Sequence, residues 1–129
     1  MKYLLDTHTT IWALLGYDEK LSFKARDILD DRTVELAVSI ASVWEIAIKI
    51  SKGGKIAEMS GVAIFIDKLC EFGIEILGIT AEEIKIVESL PFFHYDPFDR
   101  IIIATAKNYR LTLITSDENI GKYDVACVW

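Results

Sequence analysis

The chain is organised around one stretch, His94-Tyr95-Asp96-Pro97-Phe98-Asp99-Arg100, and the apolar run that follows it, Ile101-Ile102-Ile103-Ala104-Thr105-Ala106. Asp is a preferred N-cap residue, and Pro is favoured at the first helical position. An acid in the first turn, such as Asp99, stabilises the positive end of the helix dipole. The pattern predicts a helix capped by Asp96 and started by Pro97. Capping explains Asp96 completely, whereas the role of Asp99 depends on which other acids lie near it.

The composition is that of one globular domain spanning residues 1–129. A chain of 129 residues can bury a core without disulfides or metals, and its 52% hydrophobic content argues against disorder. The net charge of −6 is unfavourable for a nucleic-acid partner, because phosphates usually bind basic surfaces. That objection weakens if several acids bind a cation, since a bound cation inverts the local field. Composition therefore leaves a nucleic-acid partner open.

The cysteines and the apolar segments indicate a cellular compartment. Cys70 and Cys127 have no CxxC or Cys/His spacing, so we expect buried, reduced thiols rather than a disulfide. The apolar run before Asp6 is too short for a signal sequence, and charged residues interrupt the later apolar runs. We expect a soluble, cytoplasmic protein with no membrane partner.

Strands and helices alternate along the chain. An apolar run ends at Asp6 and a segment with helical spacing follows at once; a second strand then leads into a helix capped by Ser39. Such alternation is typical of a parallel sheet with helices on both faces. The sequence predicts an α/β fold, a three-layer α/β/α sandwich with a central parallel sheet of four to five strands. The predicted strands are 2–5, 35–38, 74–79, 111–115 and 125–128, and the predicted helices are 7–15, 21–29, 40–52, 62–72, 81–90 and 97–107.

Four acids occupy comparable positions in this pattern. Asp6 and Asp117 follow the ends of strands. Glu45 lies near the start of a helix that follows a strand, and Asp99 lies in the first turn of another helix. In a doubly wound sheet all these positions face the carboxyl edge, where ligands bind. Local roles exist for each acid, such as capping for Asp6 or an ion pair with Lys49 for Glu45, but the shared edge favours a common site.

Carboxylates gathered at one edge require a cation. Within a few ångströms they repel each other and raise each other's pKa unless a positive charge lies among them. Oxygen ligands suit Mg²⁺ or Mn²⁺, whereas His8 and His94 alone do not make the Cys/His set of a zinc site. Acid clusters with such ions serve phosphoryl chemistry, because they activate water and stabilise charge on the attacking and leaving oxygens.

Four motifs together resemble a known family. In chain order they are Leu4-Leu5-Asp6-Thr7-His8, Ser42-Val43-Trp44-Glu45-Ile46, the segment from His94 to Ala106, and Leu113-Ile114-Thr115-Ser116-Asp117. The set resembles the PIN domain and, more narrowly, the VapC-type toxin ribonucleases of type II toxin–antitoxin systems, in the subgroup with the motif HxDPFDR. The resemblance covers essentially the whole chain and depends on the ordered set, because no single motif is specific.

The resemblance implies a Mg²⁺- or Mn²⁺-dependent endoribonuclease that acts as a homodimer and is inhibited by a cognate antitoxin. Asp6, Glu45 and Asp99 match the core acids of the family, and Asp117 matches its more variable fourth acid. All four are therefore the expected catalytic and metal-binding residues. In relatives the antitoxin lays a helix into an apolar groove and brings a basic side chain to the acids.

Five residues close to the acids in sequence are candidates for binding the substrate: Arg100, Lys49, Lys52, Thr115 and Ser116. The basic side chains are expected to contact phosphates, and the two hydroxyls to position water or the metal. His94 is expected to have a structural role, through a hydrogen bond at the start of the helix.

Two other functions are compatible with parts of the pattern. A phosphatase or phosphotransferase of the aspartyl-phosphate type also has an Asp after its first strand, but it needs a second acid close by, and no acid follows Asp6 before Asp18. A catalytically silent PIN-like domain that binds RNA or protein would usually have lost a core acid, and this chain retains all four.

The three tryptophans have two possible environments. Trp12, Trp44 and Trp129 are large apolar side chains that fit either an interface with an antitoxin or a second copy, or the core of the domain. The sequence does not distinguish between these environments.

Overall fold

The computed structural model describes residues 2–53 and 61–129. Five strands form one sheet: β1 (Lys2–Leu5), β2 (Glu35–Ser39), β3 (Glu75–Leu77), β4 (Thr112–Ile114) and β5 (Cys127–Val128). Their spatial order is β3-β2-β1-β4-β5, and every neighbouring pair is parallel. The strand order reverses between β1 and β4, and in open α/β sheets ligands bind outside the carboxyl ends at such a switch point.

Six α-helices connect and cover the strands in the described residues: α1 (Thr7–Leu15), α2 (Phe23–Asp30), α3 (Ile40–Lys52), α4 (Val62–Glu71), α5 (Ala81–Ser89) and α6 (Pro97–Tyr109). Short 3₁₀ turns occur at Asp18–Lys20 and Ile120–Lys122.

Both faces of the sheet are buried. The adjacent residues Leu4 and Leu5 of the central strand are fully buried and belong to two different apolar clusters, because successive strand residues point to opposite faces. One cluster contains Ile102 and Ile103 of α6, and the other contains Phe65 of α4 together with residues of α1, α2 and α3. The predicted three-layer α/β/α sandwich with a parallel sheet is therefore confirmed.

Several boundaries differ from the predicted ones. The second helix begins at Phe23 rather than Leu21, because the Ser22 hydroxyl accepts a hydrogen bond from the Ala25 backbone N–H at 3.0 Å and caps the helix. Leu21 is buried just before this cap, so its apolar character belongs to the core and not to the helical period. Strand β3 is only three residues long, and α6 continues to Tyr109, two residues beyond the predicted end.

The expectation of buried thiols was wrong. Cys70 and Cys127 are both free and exposed. Helix α4 buries Phe65 and Leu69 against the sheet, so its period turns the next residue, Cys70, towards solvent. Cys127 lies in β5, which pairs with β4 and is the last strand in the order of the described sheet.

None of the helices in the described ranges is both long enough and apolar enough to span a membrane.

Candidate metal centre

Asp6 follows β1 directly and is only 4% exposed. Its Oδ1 accepts a hydrogen bond from the Thr9 backbone N–H at 2.9 Å, which makes Asp6 the N-cap of α1. Its Oδ2 accepts a hydrogen bond from the Thr115 hydroxyl at 2.5 Å, across the switch point between β1 and β4. Asp6 therefore caps α1 with one carboxylate oxygen and contacts the segment after β4 with the other.

The segment after β4 brings Asp117 to the same edge. Thr115 Oγ1 donates to Asp6 and accepts a hydrogen bond from the Asp117 backbone N–H at 3.1 Å. Asp117 Oδ1 in turn accepts from the Asn119 backbone N–H at 2.8 Å, a local turn typical of Asp. Thr115 therefore links the carboxylates that follow the two central strands.

Glu45 projects from α3 with a side chain that is 14% exposed. Its Oε2 lies 3.8 Å from Lys49 Nζ, the ion pair expected from their spacing. Its Oε1 is buried and has no hydrogen-bond partner among the described residues. One turn earlier in α3, Ser42 Oγ accepts a hydrogen bond from Thr7 Oγ1 of α1 at 3.0 Å, which holds the starts of the two helices together.

Asp99 lies in the first turn of α6, as the sequence predicts. Asp96 Oδ1 accepts a hydrogen bond from the Asp99 backbone N–H at 2.9 Å, so Asp96 caps the helix and orients its first turn. The Asp99 side chain is 20% exposed, and its Oδ2 lies 3.4 Å from Nε2 of His94. At the start of α6, Asp96 therefore caps the helix, whereas Asp99 contributes the carboxylate of the site.

The charges of all four predicted acids act at one place. The pKa of Asp99 is raised to about 7, first by burial and then by the negative charges of its neighbours, which are Asp96, Asp6, Glu45 and Asp117. A carboxyl group with such a pKa retains its proton to near neutrality unless a cation compensates the surrounding charge.

This donor set fits a divalent cation. Two buried polar atoms, Oε1 of Glu45 and Nε2 of His94, have no hydrogen-bond partner in the part of the chain that the structure describes. Single ligand atoms of His94, Asp99 and Asp117 lie within 4.8 Å of one another. Lys49 is the only Lys or Arg in residues 2–53 and 61–129 that forms an ion pair with a predicted acid, which leaves excess negative charge. Carboxylate oxygens with this excess suit Mg²⁺ or Mn²⁺.

The five predicted substrate-binding residues have different environments. Lys49 lies beside Glu45, and Lys52 is exposed one turn further along α3. Ser116 is exposed next to the acids, whereas Thr115 is 5% exposed and already bonded to Asp6. Arg100, the fifth residue, lies inside the protein.

The expected contact between Arg100 and substrate phosphate conflicts with its burial. Arg100 is 5% exposed, and its guanidinium donates hydrogen bonds to the carbonyls of Pro91, Leu90 and Val87 and to the Tyr123 hydroxyl. It also lies over the ring of Phe92 at 4.1 Å from the centroid. Because α5 ends at Ser89, Arg100 satisfies carbonyls at and just beyond the end of that helix, and it belongs to the scaffold.

Tyr123 is a residue of the site that the sequence pattern did not reveal. Its hydroxyl lies 3.0 Å from Nδ1 of His94 and accepts a hydrogen bond from Arg100 at 3.1 Å. Tyr123 is 3% exposed, in an irregular segment 29 residues after His94. The expected hydrogen bond of His94 is therefore present, and its partner is distant in sequence.

The tryptophans divide between the two expected environments. Trp12 and Trp129 are partly buried, pack against one apolar cluster and have ring centroids 6.0 Å apart. Trp44 is 61% exposed and meets Phe98 edge-on at 5.1 Å. Trp44 and Phe98 line an apolar groove together with Ile79, Ile84, Tyr95 and Pro97. Trp44 and Phe98 directly precede Glu45 and Asp99 in the chain, so the groove adjoins the acids.

Comparison with known proteins identifies the family. The PIN domain model matches residues 3–126, so the chain belongs to the PIN domain family. Comparison with curated protein sequences finds no significant match.

Solved structures of toxin–antitoxin proteins share the fold. VapBC2 from Rickettsia felis, solved with a DNA fragment from its promoter, is similar with a TM-score of 0.72 and 18% identity over 99% of this chain and 98% of that one. VapBC-1 from nontypeable Haemophilus influenzae gives a TM-score of 0.61 and 16% identity, over 99% and 97% of the two chains. FitAcB from Neisseria gonorrhoeae gives 0.58 and 21%, over 98% and 96%.

Proposed function

We propose that residues 1–129 form a single nuclease domain, the toxin of a toxin–antitoxin pair, which hydrolyses phosphodiester bonds of RNA with Mg²⁺ or Mn²⁺. The observation that carries this proposal is that Asp99 is largely buried among four other acids, so that burial first, and then their negative charges, raise its pKa to about 7. Crowding of these charges destabilises the fold, and strongly shifted pKa values of this kind are typical of functional sites. Membership of the PIN domain family supports a metal-dependent active site here.

Asp6, Glu45, Asp99 and Asp117 would hold the cation. Once bound, a divalent cation supplies Lewis-acid polarisation of the phosphate and lowers the pKa of water. The chain itself fixes the positions of its ligands. Thr9 and Thr115 hold the two oxygens of Asp6, and the Asp96 cap fixes the turn that carries Asp99.

The remaining predicted residues are assigned to the substrate. Lys49 and Lys52 lie one turn apart on α3, and their ammonium groups would contact RNA phosphates on the Glu45 side of the site. The exposed Ser116 hydroxyl, next to Asp117 in the chain, would contact RNA or water. Thr115 would act through Asp6, because its hydroxyl is already bonded to that carboxylate.

We propose a cytoplasmic location, where RNA is available.

Two protein partners are proposed. The solved structures with this fold include VapBC and FitAB complexes, which supports a cognate antitoxin as one partner. The second partner is another copy of the chain. The apolar groove next to Glu45 and Asp99 exposes large side chains, among them Trp44, Ile84 and Tyr95, and suits the homodimer contact.

The decisive experiment incubates the purified protein with total RNA and Mg²⁺ or Mn²⁺. Asp99→Asn is the test variant, and Asp67→Asn, which removes an exposed carboxylate from the outer side of α4, is the matched control. We expect cleavage by the unmodified protein and by Asp67→Asn, and a loss of at least about 100-fold in Asp99→Asn. Equal cleavage by all three, or none by any with either metal, would contradict the proposal.

A catalytically silent RNA-binding domain gives a different result. It would bind RNA without cleavage and would show no Mn²⁺-dependent rise in melting temperature that Asp6→Asn abolishes. The nuclease proposal requires such a rise, because a cation that binds only the folded state stabilises it.

A further inference from the structure

We propose that His94 is a ligand of the divalent cation, through Nε2, together with Asp99 and Asp117. The inference rests on the cation site of the proposed function and adds a nitrogen donor to a site otherwise made of carboxylates. It assigns to the first residue of the HYDPFDR stretch a role that the sequence left as structural.

The positions of the three donors suit one ion. His94 Nε2 lies 3.4 Å from Asp99 Oδ2, and ligand atoms of His94, Asp99 and Asp117 all lie within 4.8 Å of one another. Adjacent ligands of an octahedral ion with bonds of about 2.1 Å are about 3 Å apart, and opposite ligands are about 4.2 Å apart. Small side-chain adjustments would therefore bring the three donors onto a common centre.

Within residues 2–53 and 61–129, Nε2 of His94 lacks a hydrogen-bond partner. The side chain is 13% exposed, and Nε2 itself is buried and unpaired among the described residues, because its geometry towards Asp99 is too poor for a hydrogen bond. A buried polar nitrogen without a partner is costly. Its nearest charged neighbour is a carboxylate, so a positive centre between the two groups would satisfy both.

The other ring nitrogen is held as in known metal-binding histidines. Metal-bound imidazoles almost always donate their second N–H to a fixed acceptor, which orients the ring. The Tyr123 hydroxyl lies 3.0 Å from Nδ1 of His94 and is that acceptor in the tautomer that carries its proton on Nδ1. In this arrangement Arg100 donates to the same oxygen, and the Tyr123 hydroxyl proton points towards the His94 carbonyl at 3.4 Å. The Nε2 lone pair is then free to bind the cation.

A nitrogen ligand changes which ions the site prefers. Imidazole strengthens binding of Mn²⁺, and more so of Co²⁺, relative to Mg²⁺, which favours oxygen ligands. His94→Gln keeps a polar side chain but removes the imidazole. We expect it to weaken Mn²⁺ binding by about tenfold and Mg²⁺ binding by no more than about threefold.

The test uses Mn²⁺ alone, bound to the purified protein, and pulsed electron paramagnetic resonance to detect nitrogen bonded to the ion. The chain has only two histidines, His8 and His94, so an imidazole signal has two possible sources. His8 is exposed on α1, which makes His8→Gln the matched control for His94→Gln. Circular dichroism and thermal melting establish that both variants are folded.

We expect an imidazole ¹⁴N signal that persists in His8→Gln and disappears in His94→Gln. Persistence in His8→Gln assigns the signal to His94 even if His94→Gln does not fold. Bound Mn²⁺ without nitrogen coupling, or coupling lost in His8→Gln, would overturn the inference and leave the proposed nuclease intact. Failure of Mn²⁺ to bind at all would overturn the cation site and the inference with it.

Discussion

The hydroxyl of Thr115 donates a 2.5 Å hydrogen bond to Oδ2 of Asp6, joining two residues 109 positions apart in sequence. Both residues follow central, directly paired strands, β4 and β1, at the switch point of the sheet. The bond occupies one oxygen of Asp6, while the backbone N–H of Thr9 occupies the other. The orientation of this carboxylate is therefore set by two segments that are far apart in sequence, the start of α1 and the residue that follows β4.

Loss of the Thr115 hydroxyl is expected to weaken cation binding. Thr115→Val keeps the shape of the buried side chain and removes the donor to Asp6, so Mn²⁺ affinity measured by calorimetry should decrease by about 10- to 100-fold. The free energy of unfolding should decrease by about 1–3 kcal/mol, because a buried acceptor loses its partner. Thr115→Ser retains the hydroxyl and is the control. Equal Mn²⁺ affinity in the Val and Ser variants would contradict a role for this bond.

Neutralising Asp99 is expected to stabilise the cation-free protein while abolishing cleavage. Asp99→Asn removes a charge that is disfavoured by burial and by repulsion from four neighbouring acids, and the gain in unfolding free energy should be on the order of 1 kcal/mol after allowance for solvent screening. Thermal melting in the presence of a chelator measures this gain. A variant less stable than the unmodified protein would mean that the acids do not repel one another in the fold.

The gain from Asp99→Asn should depend on pH in a defined direction. The pKa of Asp99 is about 7 in the folded chain, compared with its ordinary value of 3.8, so between these pH values the folded state retains a proton that the unfolded state has lost. The unmodified protein therefore loses stability as pH rises between these two values. The difference between variant and unmodified protein should be absent below about pH 4, grow up to about pH 7 and then stay constant. Melting curves across this range test the prediction.

Asp96 should affect stability through its cap. Asp96→Ala removes the acceptor for the Asp99 backbone N–H and should lower the free energy of unfolding by about 1 kcal/mol. Asp96→Asn is the matched control, since Asn caps a helix equally well but carries no charge. In urea unfolding we expect the Asn variant to be at least as stable as the unmodified protein, because Asn keeps the cap and removes the repulsion between Asp96 and Asp99. Loss of stability in the Asn variant would show that the charge of Asp96, and not the cap, is the stabilising feature.

Arg100 should behave as a buried structural residue. Arg100→Lys cannot reproduce four hydrogen bonds in the fixed planar geometry of a guanidinium, and we expect a loss of about 2–3 kcal/mol in unfolding free energy. Arg32→Lys, at an exposed position, should change stability by less than about 0.5 kcal/mol. Full stability of Arg100→Lys, combined with weaker RNA binding, would restore Arg100 to the substrate-binding residues.

The apolar groove leads to a prediction about oligomeric state. Trp44→Ala should shift the protein from dimer to monomer in light scattering, because aromatic side chains at the centre of an interface contribute most of the binding energy. Phe23→Ala changes an aromatic residue that is 81% exposed on α2, distant from the groove in sequence, and serves as the control. An unmodified protein that is monomeric throughout would refute the homodimer.

The start of α6 and the fold class could be predicted because their determinants are local. The start of α6 depends on residues within one helical turn, which are Asp96, Pro97 and Asp99. The spacing of apolar residues along the chain indicates the alternation of strands and helices. All four acids were expected at one edge because each follows the end of a strand or lies near the start of a helix in a doubly wound sheet.

Contacts between distant segments could not be predicted. Nothing near Tyr123 indicates that its hydroxyl meets His94, since that contact depends on how an irregular segment packs against α6. Arg100 was expected at the surface because charged residues usually lie there. Its burial depends on free carbonyls at and beyond the end of α5, which only the packing of two helices brings within reach.

The bond between Asp6 and Thr115 also has a consequence for synthesis of the chain. Strand β1 leaves the ribosome first, but its second neighbour, β4, is completed only at Ile114. Until then β1 has one unpaired edge, and Asp6 lacks the threonine that orients it. Pairing between strands so far apart in sequence is slow, because the loop-closure entropy is lost before the contact is gained. The carboxylates of the proposed site therefore meet only after β4 has paired with β1, and the proposed activity cannot precede that pairing.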